Sequence, residues 1–229
     1  MKVTLIKKIK NASDVFSFVF KPENPVEWKA GQYIFYKIPH PNPDNRGIIR
    51  HFTISSAPYE KNLMLTTRFP QGRISTFKQA LNNLAIGSEI ETLSMGGDFI
   101  VENPDKNYVF ITGGIGITPY RSILLDLAQK NSINNIILLY ANRNEEIIFK
   151  DEFDALTEKH SGLKIKYIIE PERINVDSIK KEVPDFLKYN FYVSGTELMV
   201  AAIRKILIGM QINNEQVKSD FFPNYTENL

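Results

Sequence analysis

Through the first hundred residues of this chain, apolar and polar side chains tend to alternate. After residue 107 the rhythm changes to apolar blocks separated by helical spacing. Segments 3–10, 15–21, 32–38, 48–54, 63–69 and 89–93 carry the period-two pattern of half-buried strands, rich in β-branched and aromatic residues. Loops rich in proline and asparagine separate them, such as His40-Pro-Asn-Pro-Asp-Asn-Arg-Gly47. One stretch, 75–84, has helical spacing from Phe77 to Leu84, with Ser75 or Thr76 as its N-cap. Six short strands at this spacing predict a small antiparallel Greek-key barrel with a single helix.

Beyond residue 107, candidate strands 108–112, 135–140, 164–169 and 189–193 alternate with helical stretches 118–130, 150–159, 176–182 and 196–210. Strand and helix in alternation predict a parallel, Rossmann-like α/β sheet. The polar segment Glu102-Asn-Pro-Asp-Lys-Asn107 marks the boundary, giving domains 1–101 and 107–229. A chain of 229 residues accommodates two domains of ordinary size.

Composition narrows the chemistry. A net charge of +2, with both signs mixed along the chain, gives no nucleic-acid footprint. The absence of cysteine excludes a disulfide framework, a thiolate nucleophile and a cysteine-ligated zinc or iron–sulfur site within these residues. His40, His51 and His160 are scattered without an i, i+4 pair, so no metal site is predicted. The N-terminus has charges but no following apolar run, and no stretch of about 18 apolar residues occurs, so neither a signal peptide nor a membrane span is expected. A cytoplasmic or membrane-peripheral protein is the expectation. Asp151, Glu152 and Asp154 read as first-turn carboxylates complementing a helix dipole.

The most informative segment is Tyr108-Val-Phe-Ile-Thr-Gly-Gly-Ile-Gly-Ile-Thr-Pro119, a strand running into three glycines and a helix start. Glycines at such a turn let the backbone approach a ligand, and the unpaired N–H groups of the helix favour a phosphate. Proline is tolerated in the first helical turn, where its missing N–H would go unpaired. Two further segments add candidate phosphate contacts. Arg50-His-Phe-Thr-Ile-Ser-Ser56 places Arg50, Phe52 and Ile54 on one strand face and His51 and Thr53 on the other. Pro70-Gln-Gly72-Arg-Ile-Ser75-Thr76 couples a glycine turn to hydroxyls at a helix start.

Arg-x-aromatic-Thr-x-x-Ser, Gly-x-x-Ser and Gly-Gly-x-Gly-x-x-Pro, in this order, resemble the ferredoxin–NADP reductase superfamily. The likeness continues in Tyr140-Ala-Asn-Arg-Asn144, Tyr192-Val-Ser-Gly-Thr-Glu-Leu-Met199 and Lys218-Ser-Asp-Phe-Phe-Pro-Asn-Tyr225. The resemblance implies an FAD-binding barrel, an NAD(P)-binding α/β domain and hydride transfer from NADH or NADPH to flavin N5. It implies Arg50 on the pyrophosphate, Phe52 against the flavin ring, Thr53 beside N5, and Ser56, Gly72 and Ser75 completing the flavin contacts. It also implies Gly113, Gly114, Gly116 and Gly195 facing the nicotinamide nucleotide, with Thr118 near its pyrophosphate. Ser194 stands where relatives commonly have cysteine near the nicotinamide. Asp220 and Phe222 fall on a segment that returns to the flavin in relatives.

At the end of the second α/β strand stands Arg143, which suits a 2′-phosphate. The third ends in Glu170-Pro-Glu172, whose carboxylates repel one, so the balance favours NADH. FAD is favoured over FMN because Arg50 and Ser75 read as a pyrophosphate site. The implied acceptor is separate: ferredoxin, flavodoxin, the iron–sulfur subunit of an oxygenase, or a small oxidant. The alternative is a non-turnover flavin-binding sensor or subunit of a larger complex.

Overall fold

The computed structural model describes residues 1–72 and 74–222; the last part of the C-terminal motif, Pro223-Asn224-Tyr225, lies outside them. Strands β1 (Lys2–Ala12), β2 (Val15–Pro22), β3 (Tyr33–Lys37), β4 (Ile49–Thr53), β5 (Leu63–Arg68) and β6 (Glu89–Gly96) form one antiparallel sheet in the order β4-β3-β6-β1-β2-β5. A bridge between Ile54 and Leu65 joins its two edges, so the sheet closes as the Greek-key pattern predicts. Register shifts between Leu5 and Lys7 and between Lys10 and Ala12 bend β1 around the curve. Alternation buries Leu5, Phe18, Phe20, Ile34, Tyr36 and Leu65 inside. Helix α1 (Thr76–Asn83) adds Phe77 and Leu81 to this core.

The second sheet is parallel throughout. Strands β7 (Tyr108–Gly113), β8 (Ile136–Asn142), β9 (Leu163–Ile169), β10 (Asn190–Thr196) and β11 (Val217–Phe222) lie in the order β11-β10-β7-β8-β9. They are joined through α2 (Thr118–Gln129), α3 (Lys150–Lys159), α4 (Val176–Glu182) and α5 (Glu197–Gly209). Residues 108–112 of β7 are buried without interruption, as expected of a parallel strand covered on both faces.

Two compact units divide the chain: Met1–Ile100 with Thr118–Asp126, and Val101–Ile117 with the chain from Leu127 onward. The opening of α2 therefore groups with the barrel, which the sequence pattern did not anticipate. The pattern also omitted β11. Val217-Lys-Ser-Asp-Phe-Phe222 has no clean alternation, and its strand form comes from pairing with β10, Ser194 opposite Asp220 and Thr196 opposite Phe222. Asp154 does not act as a first-turn carboxylate. It accepts hydrogen bonds from Lys150 Nζ (2.5 Å) and the Tyr167 hydroxyl (2.7 Å), tying α3 to β9.

Candidate functional site

In the barrel unit, β4 alternates as predicted: Ile49 and His51 are exposed, Arg50 and Phe52 half-buried. Tyr36 stands opposite Arg50 and Ile34 opposite Phe52. Phe52 stacks on Phe77 with ring centroids 5.8 Å apart. The Arg50 guanidinium lies 5.6 Å from the Phe77 ring centroid. Its Nη2 donates to Asp44 Oδ1 at 2.8 Å, and its Nη1 donates to the Arg46 and Ile49 carbonyls at 2.5 and 2.6 Å. Arg50 Nε is buried with no hydrogen-bond partner among the described residues. A buried guanidinium N–H left unpaired is a donor suited to an anionic oxygen.

Around Arg50 the expected flavin residues sort into two groups. Ser75 caps α1, its Oγ accepting from Lys78 N at 3.2 Å. Asp44 Oδ2 accepts from Thr76 N at 3.3 Å, so one carboxylate links Arg50 to the start of α1. Gly72 has φ +97° and open space at its Cβ position, a turn that only glycine makes without strain. Ser56 belongs elsewhere. Its Oγ accepts from Met64 N at 2.9 Å, and its carbonyl accepts from Trp28 Nε1 and Ser122 Oγ. Thr53 is buried at the end of β4, 6 % exposed.

The loop after Thr53 is clamped within the same unit. Arg121 Nη1 donates to the Ser55 carbonyl at 2.8 Å, and its guanidinium pairs with both Glu60 oxygens at 2.9 and 3.1 Å. Glu60 also accepts from Ala57 N. A forked arginine that is itself 8 % exposed fixes this loop against α2.

In the sheet unit, the chain runs from β7 outward through β8 and β9, then returns to place β10 on the other side of β7. Strand order thus reverses between β7 and β10, and open α/β sheets bind ligands beyond the carboxyl ends of the strands at that point. Thr112 and Ser194 sit opposite each other there. Both hydroxyls are buried without a hydrogen-bond partner among the described residues. Gly114 takes φ +51° as the backbone leaves β7. A Cβ on Gly116 would lie 2.5 Å from the Ser194 carbonyl oxygen, 2.7 Å from Thr112 Oγ1 and 2.8 Å from Gly195 Cα. The turn therefore packs directly on the end of β10.

The space over Gly113 and Gly195 is already used. The Met199 sulfur lies 2.7 Å from the Cβ position of one and 3.0 Å from that of the other. These glycines accommodate a thioether of α5 as well as bending the chain. Thr118 heads α2 and is 3 % exposed, Arg143 is exposed just beyond β8, and Asp220 lies beside Ser194 on β11.

The family model described as the oxidoreductase NAD-binding domain matches residues 110–205. A flavohemoprotein of Burkholderia sp. (strain TH2) is 26 % identical over 232 residues, covering 94 % of this chain and 57 % of the relative. The reductase subunit of stachydrine N-demethylase from Rhizobium meliloti is 25 % identical over 243 residues, covering 98 % of this chain and 68 % of the relative. Ferredoxin–NADP+ reductase from Plasmodium falciparum superposes with a TM-score of 0.82 at 21 % identity, covering 96 % of this chain and 95 % of that one. Over nearly its whole length the chain is similar to these proteins and shares their fold. It spans little more than half the length of the flavohemoprotein.

Within this fold, sequence reasoning missed four groups: Asp44, the Arg121–Glu60 pair, Thr112 and Met199. Asp44 sat in a loop whose only signal was proline and asparagine. Arg121 and Glu60 are 61 residues apart, with nothing in the pattern to join them. Thr112 was visible as the polar residue ending an apolar strand just before the glycines, and that signal was sufficient to find it. Met199 stood in the helical stretch 196–210 with no signal of its own.

Proposed function

We propose that this chain is a flavin-dependent NAD(P)H oxidoreductase that reduces FAD and passes the electrons to a separate acceptor. The observation that carries the reading is the pair of buried hydroxyls of Thr112 and Ser194 at the switch point, beside the glycine turn, without a partner among the described residues. Bound flavin supplies the chemistry, taking a hydride at ring nitrogen N5 and releasing electrons singly or in pairs. The chain's own residues hold and orient. Arg50 offers its unpaired Nε to the flavin pyrophosphate, Ser75 and Gly72 shape the adjoining helix start, and Phe52 packs beside the ring. Thr53 lends a hydroxyl where charge develops during hydride transfer. Gly114, Gly116 and Thr118 receive the dinucleotide, Gly113 and Gly195 make room for the Met199 thioether beside it, and Thr112 and Ser194 give the nicotinamide polar partners. Asp220 and Phe222 complete the site.

NADH is preferred over NADPH. Glu170 and Glu172 follow β9 and repel a 2′-phosphate, Arg173 is paired with Glu170 at 3.2 Å, and the exposed Arg143 is the opposing cation at the end of β8. The acceptor is a redox protein such as ferredoxin, flavodoxin or the iron–sulfur component of an oxygenase, in the cytoplasm where reduced nicotinamide is supplied. The relative from Rhizobium meliloti is itself a reductase subunit, which supports a protein acceptor. Among the described residues no helix is long and apolar enough to cross a membrane.

Anaerobic mixing of the FAD-loaded protein with NADH or NADPH tests the reading. The flavin band bleaches, faster with NADH, and denaturation releases FAD. Thr53→Val keeps its flavin but is reduced about 10²–10³ more slowly, the effect of losing one preorganised donor. A protein that holds FAD and bleaches with neither nucleotide would rule the reading out.

A further inference from the structure

The loop at 40–47 does more than connect β3 to β4. Asp44 stands at its centre and is held from every side. Its Oδ1 accepts from Arg50 Nη2 at 2.8 Å and from Arg46 N at 3.0 Å, while Oδ2 accepts from Thr76 N at 3.3 Å. Its own N–H donates to Thr76 Oγ1 at 2.9 Å, and its carbonyl accepts from Gly47 N at 2.8 Å. His40 braces the same hydroxyl through Nε2 at 3.0 Å while its Nδ1–H donates to the Ile38 carbonyl at 2.7 Å.

A carboxylate between a guanidinium and the first amide of a helix makes the contacts that a phosphate oxygen makes. We propose that Asp44 is a built-in competitor of the flavin pyrophosphate: it occupies Arg50 and the start of α1, and flavin binds by exchanging with it. The inference rests on the flavin reading above and adds to it a residue that tunes cofactor affinity.

Three observations favour exchange over sharing. Arg50 Nη1 is committed to two backbone carbonyls and Nη2 to Asp44, so the guanidinium has only part of one edge to offer a second anion. The Arg50 and Asp44 side chains are 16 % and 20 % exposed, so repulsion between Asp44 and an arriving pyrophosphate is only partly screened. The loop is anchored by these polar contacts and not by apolar burial. Pro41, Asn42, Pro43, Asn45 and Arg46 are exposed, and Asn42 (φ +50°) and Gly47 (φ +71°) are turn points near its two ends. Segments with few buried apolar contacts open at low cost.

The test is equilibrium titration of flavin-free protein with FAD and with riboflavin, which lacks the pyrophosphate. Asp44→Asn keeps the side-chain shape and removes the charge. It binds FAD roughly tenfold tighter than wild type, a gain absent with riboflavin. The flavin-free variant melts below wild type, while the FAD-bound forms melt together. In wild type, adding FAD speeds hydrogen exchange at the Arg46 and Gly47 amides, a readout independent of any variant. If Asp44→Asn binds FAD as weakly as wild type or more weakly, or if FAD slows exchange at those amides, Asp44 merely supports Arg50 and the proposal is wrong while the flavin reading stands. If folded wild type and variant both fail to bind FAD, the flavin reading falls and the proposal falls with it.

Discussion

The barrel and the parallel sheet prepare for their ligands in opposite ways. At the start of α1 most polar groups already have protein partners: Arg50 holds Asp44 and two carbonyls, Ser75 caps the helix, and Asp44 ties the two together. At the switch point of the sheet, Thr112 and Ser194 are buried opposite each other with no hydrogen-bond partner among the described residues. A site of the first kind is stable when empty and yields most of its contacts by exchange. A site of the second kind carries a standing desolvation cost that a ligand relieves. Mutations should therefore have opposite signatures in the two places, visible when ligand-free and ligand-bound stabilities are measured separately.

The largest effect is expected at Gly116. A valine there drives Cβ into the Ser194 carbonyl and Gly195 Cα, backbone atoms that cannot move aside. Gly116→Val should cost about 3 kcal/mol or more in denaturant unfolding, the upper end of overpacking penalties. A variant as stable as wild type would mean that the turn does not pack on β10 as described.

Arg50→Ala comes next. FAD affinity should drop by roughly 1.5–3 kcal/mol, the worth of a hydrogen bond to a charged group. The flavin-free protein should also melt lower, because Asp44 and the Arg46 and Ile49 carbonyls lose a donor. An unchanged flavin-free melting temperature would break the comparison on the barrel side.

A smaller effect follows from acid. Burial raises the Asp44 carboxyl, but the Arg46 backbone N–H and the charges of Arg50 and Arg46 outweigh it and hold its pKa below the ordinary value. A carboxyl whose pKa is depressed by folding contributes stability above its unfolded pKa and loses it as pH falls through the folded one. Flavin-free wild type should thus lose more melting temperature on acidification through the carboxylate range than Asp44→Asn. Parallel curves would remove Asp44 from the acid response.

Ser194→Ala should have the smallest effect on stability, and of unusual sign. Deleting a buried hydroxyl that has no partner is neutral or stabilising by up to about 1 kcal/mol in the nucleotide-free protein. The stabilisation that added NADH confers should shrink at the same time. If the alanine variant is clearly destabilised without nucleotide, the hydroxyl has a partner in solution and the contrast between the two sites fails.

Much of this molecule was legible in one dimension because the signals were local. Period-two alternation located the six barrel strands, and apolar blocks followed by helical spacing located four of the five parallel ones. The glycine run marked the turn after β7, and Arg50 and Phe52 were assigned to the correct strand face. Tertiary contact decided the rest. β11 exists as a strand through its pairing with β10, and the opening of α2 joins the barrel through Arg121, Glu60 and the Ser55 and Ser56 carbonyls. The Ser56 hydroxyl accepts from Met64 N, a contact that no local pattern announced. The sequence by itself determined the elements and the glycine turn, because periodicity and backbone freedom are properties of neighbours along the chain. Which polar groups are occupied and which are left idle, Asp44 against Arg50 and Thr112 beside Ser194, was decided only by folding, because hydrogen-bond satisfaction depends on partners that the chain brings together from a distance.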